Sequence, residues 1–184
     1  FDQDINLLDF YNKSHKELHV YGVDTNSEKL TLLDISYKTH PTLKVWEAIT
    51  ISAAVPILFP PYIFEGKCLV DGGILNNYPS RSFIEQRESE IDHVLGVKLK
   101  FNSNPDNEKI EAETTIFEYM GMCVKKLIRM TYPEHAKLPH QIECVSLDRD
   151  INGWLKILNH PDARQELIDT GRETAISYLS EKQT

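Results

Sequence analysis

The residues best suited to chemistry are Asp71, Gly72 and Gly73, which directly follow a short β-type run at residues 67–70. A carboxylate at the end of a strand can accept a proton, and two glycines let the backbone bend sharply beside it. This combination is one way to present an acid in a cleft. Asp-Gly after a β-run is also the commonest signal of a hairpin turn. On their own, these residues therefore leave a purely structural turn open.

The segment ahead of the acid is predicted to be a helix over residues 46–54. Residues that share one face recur there at three- and four-residue spacing: Trp46, Ile49, Thr50 and Ala53. Pro56 ends this helix, because a proline disfavours the helical conformation of the residue before it. An irregular apolar passage and a turn at Gly66 then lead into the strand that ends at the acid.

The order of these short motifs carries more information than any one of them. Four motifs follow one another along the chain: I-S-A-A-V-P, F-P-P, the strand with D-G-G, and N-x-P at residues 77–79. This series resembles the second half of a patatin-like phospholipase domain, a family of serine lipid acyl hydrolases. The resemblance runs from about residue 18 to residue 179, and it is strongest over residues 46–79.

The resemblance implies a role for each residue of the D-G-G motif. Asp71 matches the acidic member of the family's Ser-Asp dyad, which accepts the serine proton without an intervening histidine. Gly72 and Gly73 match the turn that aims this carboxylate. The implied activity is that of a phospholipase A-type lipid acyl hydrolase. The implied partners are a phospholipid or other acyl-ester lipid, a transient membrane surface and an activating protein.

One departure from the family matters as much as the match. The family's nucleophile sits on a G-x-S-x-G elbow, a strained strand-to-helix turn. None of the eight glycines brackets a serine at that spacing, and no glycine-rich turn supplies N–H donors for an oxyanion. We therefore expect residues 1–184, which begin at Phe1, to be the C-terminal portion of a single domain. The nucleophile would lie in a missing N-terminal half, and this chain alone would be inactive.

The alternative is a catalytically silent patatin-like module that binds a protein partner or a membrane. A serine elbow encoded ahead of Phe1 would favour the enzyme, and its lack would favour the silent module.

Composition excludes several other classes. The length of 184 residues suits one domain, and 41% hydrophobic with 26% charged residues is typical of a globular protein. A net charge of −8 argues against nucleic-acid binding. The three cysteines form no C-x-x-C pair, so we expect neither zinc nor a disulfide framework, and no cofactor. The expected location is the cytoplasm or another reducing compartment to which the protein is delivered, with peripheral contact at membranes.

The rest of the chain sets the predicted fold. Strands are expected at residues 17–21, 30–35, 91–101 and 141–147, and helices at residues 80–89, 114–130 and from Pro161 onward. Strands that alternate with helices favour a layered α/β domain with a mainly parallel sheet flanked by helices. If the N-terminal half is missing, this sheet is incomplete at its N-terminal side. Gly171, in mid-helix, is expected to pack closely.

Two further features could suggest metal binding. His19 has no second ligand at metal spacing, so we interpret it as an ordinary strand histidine. Residues 148–153 match the first half of a calcium loop, but Asn159 stands where the bidentate glutamate is expected. We interpret that stretch as an Asx-rich turn.

Overall fold

A computed structural model describes residues 4–80, 84, 88–102, 109–131, 138–147 and 156–182. Helices and strands follow one another along this part of the chain, which confirms the predicted α/β class. The chain divides into two compact units, the first of residues 1–77 with 123–133 and the second of residues 78–122 with 134–184. No helix in the described part of the chain is both long and apolar enough to span a bilayer.

The first unit is built on a four-stranded sheet. Its elements, in chain order, are α1 (Leu7–Ser14), β1 (Val20–Asp24), β2 (Leu32–Ile35), α2 (Val45–Ala53), β3 (Tyr62–Phe64) and β4 (Lys67–Asp71). The strand order is β2-β1-β4-β3, and every neighbouring pair is antiparallel.

The antiparallel pairing corrects the predicted mainly parallel sheet. Short connections are the physical reason in the β1–β2 and β3–β4 pairs, because strands joined by a tight turn must run in opposite directions. A polar turn joins β1 to β2, and Glu65 and Gly66 join β3 to β4. Both of the latter residues have positive φ, 48° and 77°. Such a pair is the backbone of a type I′ hairpin turn.

The core of the first unit lies between α2 and the sheet. Ala48 and Ile51 of α2 are fully buried there, whereas Trp46 and Ile49 are 47% and 53% exposed. The stripe that revealed the helix in the sequence is therefore not the stripe that packs. Gly22 of β1 admits the helix, because a Cβ on Gly22 would lie 2.7 Å from Ile51 Cγ2.

The second unit contains a parallel strand pair. β5 (Leu95–Asn102) and β6 (His140–Leu147) pair in parallel with Leu95 opposite His140, as the sequence predicted for the sheet as a whole. A long helix, here called α4 (Pro161–Glu181), packs against β6. The chain also forms α3 (Ile116–Thr131) and a 3-10 helix, Glu88–His93.

Some predicted elements lie partly or wholly outside the described residues. The predicted helix over residues 80–89 lies mostly outside the described residues, and the loop at residues 148–153 lies entirely outside them. In α3, Ile116 and Met120 are exposed, although they belong to the predicted apolar face.

Gly171 provides a test of helix packing in α4. Around the position of its missing Cβ, no atom of the described residues lies within 4 Å, so the predicted close packing is wrong. We expect Gly171→Ala to raise the free energy of unfolding by about 0.5–1 kcal/mol, because alanine loses less backbone entropy in a helix. Urea unfolding followed by circular dichroism measures this. Gly66→Ala is the matched control and should destabilise, because Gly66 has φ 77°. A destabilised Gly171→Ala variant would mean that another surface packs there.

Candidate active site

The strand β4 carries Asp71 at its C-terminal end. This strand lies inside the sheet, between β1 and β3, and Asp71 pairs with Gly22 of β1. The backbone N–H of Asp71 donates a hydrogen bond to the carbonyl oxygen of Ala54 at 3.0 Å. The end of α2 is thereby joined to the end of β4. This contact explains physically why the I-S-A-A-V-P segment and the D-G-G segment occur together.

The backbone after Asp71 turns into a single 3-10 turn, Gly72–Ile74, instead of folding back as a hairpin. Asp71 Oδ1 accepts a hydrogen bond from the backbone N–H of Gly73 at 2.8 Å and so caps this turn. The N–H groups of Leu75 and Asn76 both donate to the carbonyl oxygen of Gly72 at 3.0 Å. The carboxylate is therefore held by a short, internally bonded turn and has a fixed direction.

Each glycine of the motif is required for a different reason. A Cβ on Gly72 would lie 2.7 Å from the carbonyl carbon of Tyr21 and 2.8 Å from its oxygen. Only glycine lets the turn lie this close to the backbone of β1. A Cβ on Gly73 would instead meet two side-chain oxygens, Asn77 Oδ1 at 2.9 Å and Asp71 Oδ1 at 3.2 Å. Gly73 thus leaves open the space beside the carboxylate.

The electrostatic environment of Asp71 is set by burial. Partial burial raises the pKa of Asp71 above its ordinary value, and the hydrogen bond from the Gly73 N–H opposes that rise. Among the described residues, no ion pair involves Asp71, and its Oδ2 has no hydrogen-bond partner. One oxygen is thus fixed by the backbone, and the other can accept a proton.

This raised pKa has a consequence for stability. A carboxyl whose pKa is higher in the folded state binds its proton more tightly there, so stability falls as pH rises through the unfolded and then the folded pKa. We therefore expect Asp71→Asn to be more stable than the wild type at neutral pH and equally stable at low pH. Urea unfolding of both proteins between about pH 3 and pH 8 measures the difference. If the wild type instead became more stable than the variant as pH rises, the pKa of Asp71 would not be raised in the folded state.

A second polar group in the first unit lies around His19. Its Nδ1 is 2.9 Å from Asp34 Oδ1, and its Nε2 is 3.3 Å from Glu17 Oε2. No group of three or more His, Cys, Asp and Glu side chains within the described residues could hold a metal ion. His19 directly precedes β1 and contacts Asp34 of β2 and Glu17, which lies outside the strands. The interpretation of His19 as a strand histidine is therefore wrong, because the strand predicted over residues 17–21 begins at Val20.

Three residues that position Asp71 were not identified from the sequence. In β1, Gly22 pairs with Asp71 and Tyr21 lies against Gly72. The carbonyl oxygen of Ala54 accepts the hydrogen bond from the Asp71 backbone N–H. Gly22 carried a usable signal, since a glycine inside a strand indicates close approach of another chain segment. Ala54 contributes its carbonyl oxygen, and Tyr21 contributes backbone atoms and its Cβ, so no specific side-chain group of either residue gives a signal in the sequence.

Comparison with known proteins finds similarity in the segment that contains this turn. The model of the family Patatin-like phospholipase matches residues 8–84, which include the strands of the first unit and the D-G-G turn. A curated protein of Invertebrate iridescent virus 6, "Probable lipid hydrolase 463L", is 24% identical over 107 residues. That match covers 56% of this chain and 36% of the viral protein, so the chain spans about a third of this relative. The resemblance predicted from the sequence is thereby confirmed: over residues 8–84 the chain is similar to the patatin-like phospholipase family.

Proposed function

We propose that the intact protein is a lipid acyl hydrolase of the phospholipase A type, with Asp71 as the proton acceptor of a Ser-Asp dyad. The observation that supports it best is the geometry of Asp71 within the matched segment. Its Oδ1 is held by the Gly73 N–H, and its Oδ2 has no partner among the described residues. A carboxylate used as a base needs this combination of fixed direction and free acceptor capacity.

The nucleophile is proposed to come from outside these 184 residues, since the sequence holds no G-x-S-x-G elbow. In the first step, the serine oxygen bonds to the ester carbonyl carbon as Asp71 takes the hydroxyl proton. Backbone N–H groups stabilise the resulting oxyanion, and its collapse releases the alcohol, which takes up the proton. In the second step, water attacks the acyl carbonyl carbon as Asp71 takes a water proton, the bond to the serine oxygen breaks, the fatty acid leaves, and Asp71 returns the proton to the serine oxygen.

The ionisation state of Asp71 must suit this role. Only the carboxylate accepts a proton, so Asp71 has to be ionised at the working pH. The Gly73 N–H stabilises that form against the effect of burial. The 3-10 turn thus both orients the Asp71 side chain and stabilises its ionised form.

Contact with a lipid surface is part of the proposal. Trp46, Ile49 and Phe59 of the first unit are exposed apolar residues, on α2 and on the loop that follows it. Thr50, on the same helix, donates its hydroxyl to the carbonyl of Trp46 at 2.8 Å, so it offers no unpaired donor there. Exposed apolar surface of this kind suits transient contact with acyl chains. We propose peripheral membrane binding from the cytoplasm or another reducing compartment.

The test is hydrolysis of a fluorogenic phospholipid in vesicles by the protein encoded by the complete reading frame. A parallel assay uses the 184-residue chain alone. We expect fatty-acid release by the complete protein, with a cell extract added as a source of an activating protein, and none by the chain alone. No release under any condition would reject the hydrolase and favour the catalytically silent binding module.

A further inference from the structure

The side chain of Asn77 lies close to the proposed base. Two backbone N–H groups after the D-G-G motif donate to the carbonyl oxygen of Gly72. The chain that follows this turn places Asn77 against Gly73. Asn77 is exposed, and its side-chain amide has no hydrogen-bond partner among the described residues. The function proposed above gives this amide no role.

A small gap beside Gly73 is bordered by two side-chain oxygens. The point at which a Gly73 Cβ would stand lies 2.9 Å from Asn77 Oδ1 and 3.2 Å from Asp71 Oδ1. Because glycine has no side chain, this space stays open, and the exposure of Asn77 connects it to solvent. Both oxygens are hydrogen-bond acceptors when Asp71 is ionised. The gap therefore suits a small molecule with two hydrogens to donate.

Water fits this pattern of acceptors. Asp71 Oδ1 already accepts the Gly73 N–H, but a carboxylate oxygen has a second lone pair for another donor. Two acceptors within about 3 Å of one point can share one water molecule. Such a water donates one hydrogen to the carboxylate and the other to the amide oxygen of Asn77. Its own lone pairs are then free to attack a carbonyl carbon.

We propose that Asn77 Oδ1 orients the water that hydrolyses the acyl-enzyme, with Asp71 as the base. The inference rests on the proposed function and adds a residue to its second step. The water oxygen bonds to the acyl carbonyl carbon as one of its protons passes to the Asp71 carboxylate. The other hydrogen stays on that oxygen and is hydrogen-bonded to Asn77 Oδ1. The bond to the serine oxygen then breaks, and Asp71 returns the proton to the serine oxygen.

Competition between water and methanol tests this role. Methanol also accepts an acyl group, but its single O–H needs the base and no second acceptor. The complete protein is assayed on phospholipid vesicles with methanol added, and gas chromatography measures free fatty acid and fatty-acid methyl ester. In Asn77→Ala, we expect the ratio of methyl ester to free acid to rise about tenfold, because water alone loses a hydrogen bond. Methyl ester should form at least as fast as in the wild type.

Asn26→Ala is the matched control. Asn26 is another exposed asparagine of the first unit, and its amide donates to the carbonyl oxygen of Gly66 at 3.2 Å. Its replacement should leave the product ratio unchanged. The ratio does not depend on the folded fraction, since active molecules alone release either product. Asp71→Asn supplies the background, because it should form little of either product.

The possible outcomes separate this inference from the proposed function. An unchanged ratio in Asn77→Ala would overturn the role of Asn77 and retain the hydrolase. Equal losses of both products would also overturn it and would mean that Asn77 acts on Asp71 itself, because both reactions need the base. If the wild type forms neither product, the proposed function is rejected and this inference with it.

Discussion

Replacing Asp71 with asparagine in the complete protein is expected to lower kcat/KM for phospholipid hydrolysis by about 10²–10⁴-fold. The substitution keeps the size of the side chain and an oxygen for the Gly73 N–H, but an amide cannot take the serine proton. The loss should therefore appear mainly in kcat, because the base acts in the chemical step. Initial rates on phospholipid vesicles measure it.

A matched control separates this chemical role from a loss of fold. Asp34 is another partly buried aspartate of the same sheet, and its carboxylate contacts His19. Asp34→Asn should retain hydrolysis. Asp71→Asn should also unfold cooperatively, with no loss of stability at neutral pH. Retained activity in Asp71→Asn would remove Asp71 from the mechanism, and equal losses in both variants would indicate a general effect on the sheet.

Gly72→Ala is expected to cause the second large effect, a loss of about 1–3 kcal/mol in the free energy of unfolding. The added methyl would lie 2.7 Å from the backbone of Tyr21, closer than carbon atoms pack. Tyr21 lies in β1, whose neighbour Gly22 pairs with Asp71, so relief of the clash must shift the strand pair beneath the acid. Urea unfolding reports the stability, and the hydrolysis assay should show a parallel loss.

Gly73→Ala is the control for this prediction. Its nearest contacts would be the side-chain oxygens of Asn77 and Asp71. Asn77 can rotate away, so the loss of stability should be smaller than for Gly72→Ala. Activity should still fall, because the methyl would crowd the carboxylate. A Gly72→Ala variant as stable as the wild type would contradict the close approach of the turn to β1.

Much of the site could be predicted because its signals are local. The β-run of β4, the turn at Gly66 and the D-G-G bend depend on residue types that favour these conformations wherever they occur. The helix α2 was predicted within one residue at each end, since its limits follow from periodicity and from Pro56. Asp71 and the strand, turn and helix next to it could therefore be predicted from the sequence.

The rest depends on contacts between distant segments. Two stripes of α2 are apolar, one with Ala48 and Ile51 and the other with Trp46 and Ile49, so periodicity finds the helix without saying which stripe packs. The prediction of parallel strands was wrong for the first sheet. Two of its strand pairs are joined by short turns, and such turns make the strands antiparallel, whatever the order of strands and helices along the chain. The hydrogen bond between Asp71 and Ala54 joins backbone atoms, so the residue types at these positions do not predict it.

The most direct test of the proposed dyad is fluorophosphonate labelling of the complete protein, with peptide mass spectrometry to locate the modified residue. We expect one serine to be modified, outside the 184 residues and within a G-x-S-x-G elbow, at a rate that falls sharply in Asp71→Asn. A modified serine within the 184 residues, or labelling that is equally fast in Asp71→Asn, would contradict the assignment of Asp71 as the base of that serine.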